Sequence, residues 1–385
     1  MPPDPFRIPL SNWADAQLAE LARVTGFEAI AALDGATLLG ERAALNRFKV
    51  PAQTSAGGGC RMFEALDGTI ALNLSRVDDR ELLYALVGGD GFDTGDDHVV
   101  AIQIAARPVA DLIERGRSLG LAIAGIDEIV ASPASNTTAM GYQRVRPGRP
   151  LVIDLSALWA GPLASHLLWL GGADVIKVES RNRPDSMREG DTALFGFLNQ
   201  GKANVALDLR DPADRAALFS LIRRADVVIE AARPRALLQL GIDADALVRA
   251  VPGLVWVTIT GHGAEGEAAN WIGFGDDTAV AGGLSAALRK ATGQIGFVGD
   301  AIGDPLTGIY AAKLVAAVLA TGQGARHIVS MSGVVAEAIA GEDRAALHRD
   351  LAAWAENKGQ PLPTVAARQS GPVAKLGAEN ARLLT

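Results

Sequence analysis

Hydrophobic patterning changes character along the chain. Up to about residue 130, apolar positions recur mainly at helical spacing. Residues 12–47 read as helical stretches, the first with a polar N-cap candidate at its start. After a break at 54–59, residues 60–79 read as two short strands around a Leu66-Asp67-Gly68 turn, which predicts a hairpin. Helix-like segments follow at 80–89 and 98–120. The stretch 131–150 is rich in Pro, Ser, Thr and Gly and reads as a linker, most clearly over 136–150.

Beyond the linker, short apolar runs alternate with helical ones. Residues 151–156 predict a strand, 160–172 a helix with Pro near its start and Gly at its end, and 173–179 a second strand. Further strands are predicted at 203–209, 226–231 and 254–260, with helices between them and a long apolar helix at 304–322. Residues 326–332 predict one more strand, and the last fifty or so a helix and a loosely patterned tail. Alternating strands and helices mean an open, mostly parallel sheet with right-handed crossovers. The predicted fold class is therefore α/β, with a Rossmann-like large domain over 151–385 and a smaller α/β (α+β) domain over 1–135.

Composition narrows the function classes. The 385 residues carry a net charge of −8, which speaks against nucleic acid and against an anionic membrane as partners. One cysteine, Cys60, excludes an intrachain disulfide and a Cys-based zinc site, and the five His form no ligand pair. No apolar run reaches the ~18 residues of a membrane span. The N-terminus lacks the charged-then-apolar pattern of a secretory signal, so a soluble cytoplasmic protein is expected.

Several residue groups carry candidate chemistry. Glu179 ends the second strand of the large domain, where a dinucleotide's ribose would meet an acid. The first turn, however, lacks G-x-G-x-x-G. That spacing occurs instead at 261–266, before no apolar helix, so this glycine cluster reads as a loop. Gly57, Gly58 and Gly59 precede a strand; they are either a flexible turn or backbone that can aim N–H groups at a developing oxyanion. Asp300 and Asp304 lie in a Gly-rich approach to the long helix. Asp304, followed by Pro305, reads either as an ordinary N-cap or as an ionised, nucleophilic carboxylate at a helix start. Arg181, Arg183 and Arg188 follow the second strand and either hold phosphates or form a solvated basic loop. Cys60 reads as an ordinary buried thiol more readily than a reactive one.

Residues 152–180 resemble the opening β-α-β of family III CoA-transferases, the group of formyl-CoA transferase, carnitine CoA-transferase and the α-methylacyl-CoA racemases. Residues 197–241, 254–266 and 303–324 continue the resemblance in order. The resemblance implies that Asp304, in Gly303-Asp304-Pro305-Leu306-Thr307-Gly308, is the nucleophile. It would attack an acyl-CoA to give a mixed anhydride, then an aspartyl-CoA thioester that hands CoA to an acceptor acid. It implies that Gly57, Gly58 and Gly59 form the glycine loop over the site, that Ala160, Gly161 and Arg181 contact CoA, and that His262 lies near it. No tightly bound cofactor is implied, CoA being part of the substrate. The implied partners are an acyl-CoA, a carboxylic acid and a second copy of the chain, in an interlocked homodimer. The order of parts departs from the family, because the smaller domain comes first, as in a circular permutation. Ala231 and Ala232 stand where the family has Asn-Phe, and Phe274 where racemases carry a His base. A racemase reading then requires His262 as the base, and a CoA-binding homologue without turnover is the third alternative.

Overall fold

A computed structural model describes residues 6–144, 147–232 and 234–384. In chain order, helices α1 (Ser11–Thr25) and α2 (Gly35–Asn46) lead to a hairpin of β1 (Cys60–Ala65) and β2 (Gly68–Asn73). Helices α3 (Asp97–Ala105) and α4 (Val109–Ser118) and strand β3 (Ala122–Gly125) follow. Strands β1, β2 and β3 form one antiparallel sheet in that order. Then come β4 (Ser135–Gln143), β5 (Leu151–Asp154), helix α5 (Ala160–Leu170), β6 (Asp174–Ser180) and β7 (Ala203–Leu207). Helix α6 (Pro212–Arg224) precedes β8 (Val227–Glu230) and β9 (Val255–Thr260). Helices α7 (Gly275–Ala281) and α8 (Gly303–Thr321) precede β10 (Gln323–Ser330).

The second sheet has seven strands in the order β4-β10-β9-β8-β5-β6-β7, all parallel except the edge strand β4. Its strands are short and apolar because both faces are covered. Val152, Val175, Val227, Val255 and Val329 pack on one side with α1, α2, α5 and α8. Ile153, Ile176, Val228 and Trp256 pack on the other with α6. Local signals agree with these elements: Asp211 caps α6 through the Ala213 amide with Pro212 at its start, and Asp34 caps α2 through Thr37.

Two boundaries differ from the sequence expectation. The segment 136–150 is not a plain linker, since Ser135–Gln143 is a nine-residue strand. Only Ala139 and Ser135's neighbour Ala134 are buried around it, so it shows no apolar run or alternation. Its hydrogen bonds to β10, and Thr and Tyr residues suited to a pleated surface, hold it there. The N-terminal helices also do not pack with the smaller sheet. Leu18, Leu21, Leu38 and Leu39 enter the core of the large sheet, and Trp13 stacks on Tyr310 of α8. The smaller unit is thus the three-stranded sheet with α3 and α4 on one face. Its other face meets Val280, Ala281 and Phe297, which brings it against the C-terminal end of α7.

The β7 edge of the large sheet is closed by side chains of the C-terminal segment. Asn380 bonds both the amide and the carbonyl of Ala206, and Glu379 accepts from the Asn204 amide and donates its own to the Asn204 carbonyl. Among the described residues no helix is long and apolar enough to cross a membrane.

Candidate functional site

In the large sheet the chain runs outward from β5 through β6 to β7, then returns to β8 on the other side of β5. The carboxyl ends of β5 and β8 therefore form the crevice where ligands of open parallel sheets bind. A cavity of about 910 Å3 opens there. Its walls include the 155–159 turn after β5, Glu179 and Ser180 ending β6, Glu230 ending β8, and Gly57, Gly59, Asn73 and Ser75 from the smaller unit. Phe274, Gly275, Asp276, Ala301 and Asp304 close it from the starts of α7 and α8.

Asp304 does not cap its helix. Helix α8 starts at Gly303, its N-cap position is Ile302, and no side chain caps it. The Asp304 carboxylate instead faces the cavity, and its Oδ2 accepts the Gly275 amide at 3.1 Å. Enclosure by protein pushes its carboxyl up to about 7. Arg42 opposes the rise, Asp276 adds to it, and the Gly275 and Ala160 amides pull it back down. Asp300, fully buried beside it, is likewise pushed up to about 7 by burial, against the pull of Arg42. Asp276 is raised mainly by burial too. With Asp191 at 3.7 Å, four carboxyls thus crowd around the Arg42 guanidinium. The approach is strained: Ala301 has φ 43° and Leu158, on the same cavity, φ 67°.

Glycines make room for this arrangement. A Cβ on Gly275 would lie 2.4 Å from Asp304 Oδ2 and 2.2 Å from the Ala301 carbonyl oxygen. One on Gly59 would lie 2.1 Å from Ser75 Oγ, and Gly58 has φ +78°, a left-handed conformation that suits glycine. The three glycines do not share one role. Gly57 and Gly59 line the cavity, whereas the Gly58 amide donates to the Ser55 carbonyl at 2.9 Å.

A buried polar frame fixes the opposite wall. Asp154, at the end of β5, accepts from the hydroxyls of Ser156 and Ser165 and pairs with Lys202 at 3.0 Å. The Lys202 ammonium also reaches the Pro162 carbonyl and Asn199 Oδ1, tying β5 to the start of α5. Lys177 pairs with Asp185 at 3.1 Å and donates to the Ser156 carbonyl. Burial alone would raise the Glu179 carboxyl. Arg188 at 2.5 Å, the Asp185 amide and Lys177 outweigh it and hold it below the usual carboxylate range.

The remaining residues singled out in the sequence mostly fall away from the cavity wall. Ala160 and Gly161 are buried in the first turn of α5, and a Gly161 Cβ would lie 2.2 Å from Ser156 Oγ. Arg181 is exposed and paired with Asp214 at 3.0 Å, while Arg183 does line the cavity. Arg188 is spent on Glu179. His262 is buried with its ring against Trp271 at 5.7 Å, and burial lowers it to about 3. It does not line the cavity, so it is poorly placed for a base acting there. Burial pushes the Cys60 thiol well up, which suits a structural cysteine. Sequence reasoning missed Arg42, Trp159, Gly275 and Asp276. Arg42 stands alone on a mixed helix, and its partner Asp300 lies 258 positions away.

Residues 150–362 match the sequence model of CoA-transferase family III. Among curated proteins, the chain is similar to a succinyl-CoA–D-citramalate CoA-transferase of Chloroflexus aurantiacus, at 34% identity over 43% of this chain and 44% of the relative. It is also similar to a succinate–glutarate CoA-transferase of Agrobacterium fabrum, at 33% identity over 44% of this chain and 45% of the relative. An acetyl-CoA:oxalate CoA-transferase of Acetobacter aceti matches at 32% identity over 47% and 49%. The chain spans about half the length of the curated relatives it matches.

Proposed function

The chain belongs to CoA-transferase family III, and from that premise we propose that it moves CoA from an acyl-CoA to a carboxylic acid with Asp304 as the nucleophile. The observation that carries this reading is the placement of Asp304. Its carboxylate is turned from its own helix into the crevice that Gly57 and Gly59 also line.

The Asp304 carboxylate attacks the thioester carbonyl, and the C–S bond breaks to give an aspartyl anhydride and CoA thiolate. The thiolate attacks the aspartyl carbonyl, forming an aspartyl-CoA thioester and releasing the first acid. The acceptor carboxylate attacks this thioester, again expelling thiolate. The thiolate then takes the acceptor acyl group and frees Asp304. Each step develops an oxyanion, and we assign its stabilisation to the amides of Gly57 and Gly59, residues that line the cavity. Arg183 and the apolar surface of Leu155, Val178, Leu209 and Leu237 suit the phosphates and the pantetheine arm of CoA.

The test is intact-mass analysis of the native chain after incubation with a panel of acyl-CoAs, followed by peptide mapping of any adduct. An acyl- or CoA-sized adduct on the peptide that carries Asp304 is expected; an adduct elsewhere, or none with any thioester despite CoA binding, defeats the reading. The attacking group is the ionised carboxylate and its pKa is about 7. The adduct should therefore form about tenfold more slowly per pH unit below 7 and level off above 8.

Gly275→Ala is expected to lower turnover by about 100-fold or more. Its methyl displaces either Asp304 or the Ala301 backbone, and a misplacement of about 1 Å at the reacting atom has effects of that size. Steady-state rates beside a circular-dichroism melt check it; unchanged turnover in a folded variant counts against the assigned role of this contact.

A further inference from the structure

Arg42 is the cation that acts on Asp304, and its own contacts leave it under-committed. Its Nη1 lies 3.2 Å from Asp300 Oδ1 and its Nε 3.7 Å from Asp191 Oδ2, both longer than the 2.5 Å of Arg188 on Glu179. Asp191 is engaged elsewhere, accepting from Asn46 and from the Leu194 amide. The guanidinium lies near the rings of Phe48 and Trp159, at 5.6 and 5.4 Å. Its Nη2 faces the glycine loop, where a Gly57 Cβ would come within 2.9 Å. Arg76, also on the cavity, is held by Asp79 at 2.5 Å and by the Gly120 carbonyl. Asp300 is the complementary oddity. It is wholly buried, and its Oδ2 has no hydrogen-bond partner among the described residues. A buried carboxylate with one bare oxygen is poorly stabilised as an anion and readily takes a proton.

The second half of the proposed reaction needs an anionic acid to enter a site already crowded with carboxyls. Asp304 is then an uncharged thioester, yet Asp276 and Asp300 together still outweigh the single charge of Arg42, so an anion binds more readily once one negative charge is removed. We propose that Arg42 receives the carboxylate of the acid co-substrate beside Asp304, and that Asp300 is the positioning residue this carboxylate displaces. The inference rests on the transferase reading. Asp300 holds Arg42 against the glycine loop. On binding, the acid anion takes over the guanidinium, whose planar donors match a carboxylate, and Asp300 takes up one proton from solvent. No covalent bond between heavy atoms changes in this step. The groups facing Asp300 are Arg42 from α2, Asp276 from α7, Asp304 from α8 and Asp191 before the helix Thr192–Asn199. Its carboxyl, at about 7, titrates where such an exchange is sensitive to pH.

The test is calorimetric titration of oxalate, succinate and glutarate into the Asp304→Asn chain, which removes turnover and the second carboxyl titrating near 7. Measurements at pH 6.5 and 8.5, in buffers of different ionisation enthalpy, count protons taken up. The bound acid should weaken on the order of 20-fold between the two pH values. Uptake should approach one proton at pH 8.5. In Asp304→Asn/Asp300→Asn the uptake should vanish and the affinity stay level, with Asp276 and Asp191 common to both chains. Arg42→Lys in the Asp304→Asn background should bind at least about tenfold more weakly, because an ammonium lacks the planar fork of donors. Retained proton uptake without Asp300, undiminished binding in the Arg42→Lys chain, or no binding of any of the three acids overturns the proposal. Should the double variant fail to fold, level binding across pH in Asp304→Asn alone overturns it. The mass adduct of the native chain separates the two readings: an adduct without acid binding removes only the role of Arg42 and Asp300, and no adduct removes the transferase reading and this inference with it.

Discussion

Asp304→Asn is expected to lower CoA transfer at least about 10^4-fold, the scale on which enzymes lose turnover when a covalent nucleophile is removed. Asn keeps the shape of Asp and an oxygen to accept the Gly275 amide, so the cavity should persist and CoA should still bind. It cannot form the anhydride. The same change should also stabilise the fold above neutrality. The native carboxyl has a pKa of about 7, above its unfolded value of 3.8, so the folded state holds its proton more tightly. Such a group contributes its full stability below about pH 4 and loses it as pH rises through 7. At pH 8 the native chain therefore carries an ionised, poorly solvated carboxylate that the variant lacks, a difference of about 4 kcal/mol. Denaturant titrations at pH 8, 6 and 4 check the sign. The variant's advantage should shrink toward pH 4, and an advantage that grew on acidification would contradict the placement of Asp304.

Lys202→Met acts on stability in the opposite direction. The ammonium is 1% exposed and ringed by the Asp154 carboxylate, the Pro162 carbonyl, Ser165 Oγ and Asn199 Oδ1. Methionine fills much of the volume but leaves Asp154 as an uncompensated buried anion, and breaking a buried pair from one side costs about 3–5 kcal/mol. Asp154→Asn in the same chain removes the stranded charge, and the double variant should recover a large part of the loss. A urea midpoint for each chain measures this; equal losses in the single and double variants would mean that packing, not charge, sets the cost. Turnover should fall as well. Asp154 also holds Ser156, and Pro162 lies in the first turn of the helix whose Ala160 amide acts on Asp304.

The parallel core was legible because doubly covered strands must be apolar throughout. Val152 with Ile153, Val175 with Ile176 and Val227 with Val228 stand out as runs that no solvated loop would carry. The edge strand Ser135–Gln143 was not, because it has almost nothing to bury and is held by main-chain bonds that leave little trace in side-chain polarity. The N-terminal helices were legible as helices, but their periodicity says which face is buried and not against which sheet. The candidate site divides in the same way. Asp304 and the glycine loop announce themselves through local motifs. That Asp304 faces away from its own helix depends on Gly275, 29 positions earlier. Arg42 and Asp300 acquire meaning only as a pair, and no local window contains both. His262 shows the converse case: a motif-rich loop, Gly261 to Gly266, placed it prominently in the sequence, while the fold closes Trp271 over it.

The closure of the β7 edge by the C-terminal segment has a consequence for shortened chains. A chain that ends before Glu379 would bare the main-chain groups of Asn204 and Ala206 along a short apolar strand. A bare strand edge is a template for pairing with another chain. Such a truncation would self-associate through β7, and its sedimentation would depend on concentration.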